Sequence, residues 1–147
     1  MTNKMTVSTN CADITKQFEG CRFETYVCPA GKLTIGYGHT GSDVVDGMKI
    51  DKEKATALLM SDLKFAQNAV NSMVTVPLTQ NQFDALCDFV FNCGSGNFKS
   101  STLLKLINEK KFDEAVLEFA KWNKGGGKVL PGLTARRAAE AALFAKV

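Results

Sequence analysis

Apolar residues recur at three- and four-residue intervals over about 51–74, and this spacing predicts the longest helix of the chain. The apolar stripe of that helix consists of Ala55, Leu58, Leu59, Leu63, Ala66, Val70 and Met73. A shorter helical pattern covers 13–20, with Asp13 as its N-cap and Gly20 as its C-terminal stop. Residues 1–10 are polar and predict a loose arm before this helix.

Between these two helices the pattern changes to that of strands. Residues 22–27 and 32–37 predict two short strands, joined by a turn at 29–31 that contains proline and glycine. Gly36, Gly38 and Gly41 follow, and they allow backbone conformations in which another part of the chain approaches closely. These features predict a small β-lobe over about 20–50, which is too small to be stable alone.

The second half of the chain reads as helical. Thr79 and Gln82 have the spacing of a capping box, and the helix that they open ends near Gly94 and Gly96. Further helices are predicted over 101–109, over 113–122 and after Pro131 and Gly132, with a flexible break at 125–127. The fold class is therefore α+β: one domain, 1–147, with a small antiparallel β-lobe, a connecting helix, and a helical lobe formed by about 78–147 and helix 13–20.

Composition is that of an ordinary soluble globule, with 45% hydrophobic and 22% charged residues and a net charge of +3. The charge is uneven, because the segment from Lys121 onward has six basic residues and a single acid, Glu140. A basic face suits an anionic polymer, although a solvated helix end explains it equally well. No aromatic residues alternate with these charges as nucleic-acid binding would favour, so we expect no nucleic-acid partner.

The five cysteines are odd in number and irregular in spacing, which indicates reduced thiols rather than a disulfide framework. No C-x-x-C pair is present, so we expect no metal site and no cofactor. The first ten residues do not form a secretory signal, and no apolar run is long enough for a membrane span. These observations predict synthesis in the cytoplasm without stable membrane association.

Three side chains near the predicted strands could handle protons or hold water. Glu19 lies in the last turn of its helix, where the negative end of the helix dipole disfavours a carboxylate. Cys28 precedes Pro29 at a strand end, and Thr34 lies on the neighbouring strand with a hydroxyl that can donate and accept. Cleavage of a glycosidic bond needs a protonated carboxyl group and a bound water, which this set could supply. The ordinary alternative is a surface glutamate and a small, inert, buried cysteine.

The histidine of the chain, His39, has a candidate partner on the long helix. Asp62 falls within the apolar stripe, where a carboxylate needs a partner. We therefore predict that His39 and Asp62 form a structural pair that ties the β-lobe to the long helix. Protonation or deletion of either residue should loosen the fold.

The segment that contains Glu19, Cys28 and Thr34 resembles the catalytic region of the phage-type lysozymes, glycoside hydrolase family 24. That family has a glutamate, eight residues, an aspartate or cysteine, five residues and a threonine, which is the spacing found here. Similarity continues over nearly the whole chain, from about Asp13 to Phe144. It includes 34–40, Leu58 with Leu59, Asp62 with Leu63, 80–86, 91–94, Trp122, Gly132 with Leu133, and Arg136 with Arg137.

This resemblance implies a lysozyme-like fold and an endolysin, which hydrolyses the β-1,4 bond between N-acetylmuramic acid and N-acetylglucosamine in peptidoglycan and lyses bacteria. It implies that Glu19 is the general acid and that Thr34 positions the attacking water. Cys28 stands where most members have a second acid. An ordinary thiol has a pKa of about 8.5 and is largely protonated at neutral pH, so it cannot simply replace a carboxylate. Cys28 could instead act as a thiolate base, a water-positioning group or a nucleophile.

The resemblance also implies substrate-binding roles for Tyr37, Phe91 and Asn92, and a position near Glu19 for the pair Arg136 and Arg137. The expected partner is the glycan strand of peptidoglycan, and the expected state is a monomer. An enzyme of this kind would wait in the host cytoplasm and reach the wall in the periplasm after release through holin lesions.

Three other functions remain open from the sequence. A lytic transglycosylase breaks the same bond with one catalytic acid and no water. A cysteine hydrolase would use Cys28 and His39, although no local Asn or Asp is assigned to orient them and a structural role is predicted for His39. A wall-binding module without activity would use the basic C-terminal segment, and the presence of Glu19 argues against it.

Overall fold

The computed structural model describes residues 4–146; Met1 to Asn3, which belong to the predicted arm, and Val147 lie outside the described residues. The described part contains two small sheets, β1 to β3 and β4 with β5, and seven α-helices. In chain order the elements are α1 (Thr9–Glu19), β1 (Arg22–Val27), β2 (Leu33–Gly36), β3 (His39–Thr40), α2 (Lys52–Met73), α3 (Gln80–Cys93), α4 (Ser95–Lys99), α5 (Thr102–Asn108), α6 (Phe112–Glu118), β4 (Lys124–Gly125), β5 (Lys128–Val129) and α7 (Pro131–Ala145).

The first helix begins earlier than predicted, at Thr9, and the N-cap is Ser8 rather than Asp13. The Ser8 hydroxyl accepts a hydrogen bond from the Asn10 backbone, which is the role that sequence reasoning gave to Asp13. The described part of the predicted loose arm is bound to α2. The Asn71 side chain accepts from the Met5 N–H and donates to the Met5 carbonyl, which anchors the backbone before the helix.

The β-lobe is an antiparallel sheet in the order β1-β2-β3. Strand β1 has the predicted bounds, and the predicted turn is present, with the Gly31 N–H donating to the Cys28 carbonyl at 2.8 Å. The two-residue strand β3 was not predicted. Ile35 of β2 packs with Val44 and with Leu58 of α2 in a small second core, so the sheet is attached to the connecting helix.

The connecting helix α2 matches the prediction closely, with the Asp51 side chain as its N-cap. Its apolar stripe is buried except for Met73, which is half-buried. The next helix, α3, is the centre of the helical lobe, because every residue over 83–90 is buried beneath α1, α2 and α7. The predicted capping box is present, with hydrogen bonds in both directions between Thr79 and Gln82. This packing places the C-terminal end of α3 beside the β-lobe.

The sequence prediction missed three features of the C-terminal half. The short helix α4 follows directly on α3, and α6 ends at Glu118 before a single 3₁₀ turn at Phe119–Lys121. The predicted flexible break is the turn of a hairpin between β4 and β5, where Gly126 and Gly127 adopt positive φ of 59° and 80°. Within residues 4–146, no helix is both long and apolar enough to span a membrane.

Candidate active site

A cleft of about 570 Å³ lies where the β-lobe, α2 and the end of α3 meet. Its wall contains Glu19 from the end of α1 and Thr40 from β3. The other residues of the wall are Gly38, Asp62, Phe65, Ala66, Val90, Phe91, Asn92, Gly94 and Ser95. The chain thus brings one carboxyl group from its N-terminal helix into a cleft formed by segments that are distant in sequence.

Glu19 is the last residue of α1, because Gly20 leaves the helix with a positive φ of 69°. Its carboxylate lies against Gly38, where a Cβ atom would come within 2.7 Å of Oε1. The Arg136 guanidinium donates a hydrogen bond to Glu19 Oε2 at 2.6 Å. The side chain is 21% exposed, so Glu19 is held in place and still open to the cleft. The hydrogen bond from the guanidinium therefore fixes the orientation of the carboxyl group in the cleft.

Arg136 is itself held by a buried acid. Two of its nitrogens donate to the carboxylate of Asp88, at 3.0 and 2.8 Å, in the paired geometry that favours arginine. Thr15 donates a third hydrogen bond to Asp88 at 2.7 Å. Burial alone would raise the pKa of Asp88, but hydrogen bonds from Glu140, Arg136 and Thr15 outweigh it and lower the pKa. Arg136 therefore connects the helical core to the carboxylate in the cleft.

The neighbouring Arg137 supports the other side of the cleft. Its guanidinium donates to the Asn92 side chain at 2.8 Å and also contacts the Cys93 thiol. Arg137 Nε and Glu140 Oε1 lie 2.9 Å apart as an ion pair, although neither atom has a well-aligned hydrogen bond. Burial, and then the hydrogen bonding and charge of Asp88, raise the pKa of Glu140 well above its ordinary value.

Cys28 and Thr34 lie together at the hairpin between β1 and β2. Hydrogen bonding with the Lys32 backbone, and then with the Thr34 hydroxyl, lowers the pKa of Cys28 below that of an ordinary thiol. The Thr34 hydroxyl also donates to the Lys32 carbonyl at 3.0 Å, so its proton can serve the carbonyl or, after rotation, the sulfur. Thr34 pairs across the sheet with Thr40, and cross-strand partners share one face. Thr34 therefore lies next to a residue of the cleft wall, while neither Thr34 nor Cys28 is among the residues that line the cleft.

His39 lies between two carboxylates. Its Nδ1 is 2.8 Å from Asp62 and its Nε2 is 2.9 Å from Asp43. Burial lowers the pKa of His39, but hydrogen bonds to Asp62 and Asp43 outweigh it and raise the pKa above its ordinary value. Protonation of His39 should therefore stabilise this arrangement, which is opposite in sign to the sequence-based expectation.

The cleft wall contains some of the predicted residues and not others. Glu19, Phe91 and Asn92 belong to it, as does Asp62, for which only a structural role was predicted. Tyr37 does not: it is 7% exposed, it belongs to the main core, and its hydroxyl interacts with Cys21 and Thr56. Tyr37 therefore packs in the core, outside the cleft wall, and its predicted contact with substrate stays a prediction.

Thr40 and Phe65 are among the wall residues that were not predicted as site residues from the sequence. Thr40 belongs to a strand too short to produce a pattern. Phe65 could have been noticed, because an aromatic residue interrupts the polar face of α2. Within residues 4–146, no group of three or more histidine, cysteine or acidic side chains is arranged to hold a metal ion. All five cysteines are free thiols.

Comparison with known proteins gives a consistent result. The family model described as Phage lysozyme matches residues 16–140. The endolysin of Salmonella phage P22 is 42% identical over 144 residues, which are 95% of this chain and 98% of that protein. The endolysin of Bacillus phage B103 is 46% identical over 142 residues, 95% of this chain and 54% of that protein, so the chain spans about half the length of this relative.

Among solved structures, the muramidase domain of SpmX from Asticaccaulis excentricus superimposes with a TM-score of 0.92 at 40% identity. That match covers 98% of this chain and 100% of the other. The family model spans every residue of the cleft wall, from Glu19 to Ser95. The chain belongs to the phage lysozyme family.

Proposed function

We propose that the chain is a muramidase that hydrolyses the β-1,4 bond between N-acetylmuramic acid and N-acetylglucosamine in peptidoglycan. The observation that carries this proposal is Glu19, a carboxyl group that opens into a cleft and is fixed by Arg136 at 2.6 Å. Membership of the phage lysozyme family and similarity to a muramidase domain support it. We further propose that 1–147 acts as one domain of two lobes, with the substrate bound between them.

In the proposed reaction Glu19 gives its proton to the glycosidic oxygen as the bond to the anomeric carbon breaks. The carboxylate that remains is stabilised by the guanidinium of Arg136. Water attacks the anomeric carbon, oriented by the hydroxyl of Thr34, and Cys28 takes the proton of that water. The lowered pKa of Cys28 favours this assignment, because only the thiolate can accept a proton.

Turbidity of outer-membrane-permeabilised cells tests the proposal. We expect Glu19→Gln to lose at least a hundredfold in lytic rate, since the amide cannot donate a proton as an acid. Glu24→Gln is the matched control: Glu24 is 69% exposed, lies on β1 and pairs only with Lys49 among the described residues. Lysis by Glu19→Gln at the rate of the control would overturn the assignment.

Product mass separates hydrolysis from the transglycosylase reaction, because hydrolysis adds one water to each cleaved strand. The anomeric configuration of the new end then separates a base from a nucleophile. Inversion is expected if Cys28 accepts a proton from water, and retention if its sulfur bonds to the sugar.

For localisation, we propose action on the cell wall after holin-dependent release from the cytoplasm. The support is that relatives named endolysin match this chain over most of its length.

A further inference from the structure

Phe65 is unusual on its helix. α2 directs its apolar stripe into the core, while the row Ser61, Phe65, Asn68 and Ser72 is exposed. Phe65 is the large apolar member of this row and is 79% exposed, the most exposed large apolar side chain in residues 4–146. A ring with so little buried surface contributes little to the stability of the fold. A structural role does not explain why an aromatic residue occupies this position.

The position of Phe65 in the cleft offers an explanation. Phe65 forms part of the same wall as Glu19, the proposed proton donor. The wall also contains Asp62, three residues before Phe65, and Ala66, the residue after it. Asp62 is held by His39 at 2.8 Å, so this side of α2 is fixed relative to the β-lobe. The ring is therefore presented to the cleft by a rigid helix.

The chemistry of the wall suits a neutral sugar ring. Phe65 and Phe91 supply aromatic surface, and Asn92 supplies an amide that Arg137 holds in place. A pyranose has one face of C–H groups, which packs on aromatic carbon, and a rim of hydroxyl and N-acetyl groups, which needs hydrogen bonds. The charged residues of the wall, Glu19 and Asp62, are both acidic, which disfavours the carboxylates of a stem peptide.

We propose that Phe65 is a sugar-binding platform, on which one saccharide unit of the glycan strand places the apolar face of its ring. This proposal rests on the proposed muramidase function, and it assigns part of the substrate affinity to a residue that takes no part in bond cleavage. The effect of Phe65 is therefore on binding, and the chemical step at Glu19 proceeds normally once the strand is bound.

The test compares Phe65→Ala, Phe65→Tyr and the control Leu117→Ala. Leu117 is 70% exposed on α6 and is not part of the cleft wall, so its variant loses a similar exposed apolar group. Solubilised glycan strands are the substrate for steady-state kinetics. We expect Phe65→Ala to raise KM about tenfold, from the apolar area that a sugar would cover, with kcat within about twofold of wild type. Phe65→Tyr and Leu117→Ala should keep the wild-type KM.

A binding measurement independent of turnover uses the Glu19→Gln background. Sedimentation with purified sacculi should show about tenfold weaker binding when Phe65→Ala is added to Glu19→Gln. The thermal midpoint of Phe65→Ala should equal that of wild type, because the ring is largely exposed. A lowered midpoint would indicate a structural role and overturn the proposal.

The outcomes separate the platform from the proposed function. An unchanged KM for Phe65→Ala, together with loss of turnover in Glu19→Gln, overturns the platform and leaves the muramidase intact. Full turnover in Glu19→Gln overturns the function, and the platform with it. A third arm uses glycan strands freed of stem peptides. If the effect of Phe65→Ala disappears on these strands, the ring contacts peptide rather than sugar, and the proposal is wrong.

Discussion

Asp62→Asn should destabilise the protein most at acidic pH. The wild-type pair has both ring nitrogens of His39 facing carboxylates, Nδ1 toward Asp62 and Nε2 toward Asp43. A neutral imidazole has one N–H and can donate to only one of them, whereas the imidazolium donates to both. The protonated ring is therefore the form that this geometry favours, in agreement with the raised pKa of His39.

The sign of the pH dependence follows from that shift. A histidine whose folded pKa exceeds its unfolded value of about 6.5 contributes stability that is fully present below pH 6.5. The contribution is lost as pH rises through the folded pKa. Asp62→Asn removes one of the two carboxylates that raise this pKa, so wild type and variant should differ most near pH 5.5 and converge toward pH 9.

The loss of stability expected for Asp62→Asn depends on how far the pair is buried. The His39 side chain is 11% exposed and the Asp62 side chain is 23% exposed. A hydrogen bond between charged groups contributes about 1.5–3 kcal/mol when buried, and an exposed ion pair about 0.2–1 kcal/mol. Because this pair is mostly buried, we expect a loss of about 2 kcal/mol near pH 5.5. For a chain of this length that corresponds to a fall of about 4–8 °C in Tm.

Thermal unfolding followed by circular dichroism at pH 5.5, 7 and 9 measures this difference. Ser61→Ala, at an exposed neighbouring position on α2, is the control for substitution in this helix. A difference between wild type and Asp62→Asn that is the same at all three pH values would refute the charge argument. An unchanged Tm at pH 5.5 would refute the structural pair itself.

Three further predictions concern other parts of the site and the fold. Gly38→Ala should lower the lytic rate at least tenfold, since the added Cβ would lie 2.7 Å from Glu19 Oε1. Gly47→Ala is the control and should stay active, because Gly47 has nearly the same φ as Gly38, +76° against +75°, and a Cβ there would meet no atom within 4 Å. Alkylation of Cys28 should abolish lysis, while Cys28→Asp should keep it. The acidic limb of the wild-type pH profile of lysis should follow the lowered pKa of the Cys28 thiol. Full activity of Cys28→Ala would contradict the role of Cys28 in each of these predictions. Thr79→Ala removes the capping box and should cost about 1 kcal/mol, or about 2–4 °C in Tm, with unchanged lysis at 25 °C.

The elements with a strong periodic pattern were predictable from the sequence. The connecting helix α2, strand β1 and the capping box of α3 all have local causes: an apolar stripe, a strand pattern, and a threonine three residues before a glutamine. The start of α1 was missed because Ser8 and Asp13 are both good N-caps, and local sequence does not choose between them. The choice is made by α3, since the Ser8 N–H donates to Asp84 at 2.9 Å.

The residue types of the site were predictable, and so were two of its contacts: the resemblance placed Arg136 near Glu19, and the apolar stripe of α2 indicated the pair of His39 and Asp62. The spacing of Glu19, Cys28 and Thr34 carried the resemblance, but no local pattern shows that Arg136 contacts Glu19 across 117 residues. Tyr37 lies in the core between two glycines with positive φ, a placement that a strand pattern does not predict. Other tertiary contacts, such as the paired hydrogen bonds from Arg136 to Asp88, were found only in the structure.

The contacts of Arg136 explain why the variants of the site should behave differently. Arg136 makes two hydrogen bonds to buried Asp88 and one to Glu19. Removing Arg136 leaves Asp88 as a buried charge without its main partner, which costs about 3–5 kcal/mol, a large part of the 5–15 kcal/mol that stabilises an ordinary domain. Neutralising Glu19 leaves Arg136 still paired with Asp88, so the core is preserved. Glu19→Gln should therefore remain folded and report on the chemistry, whereas Arg136→Ala would report mainly on folding.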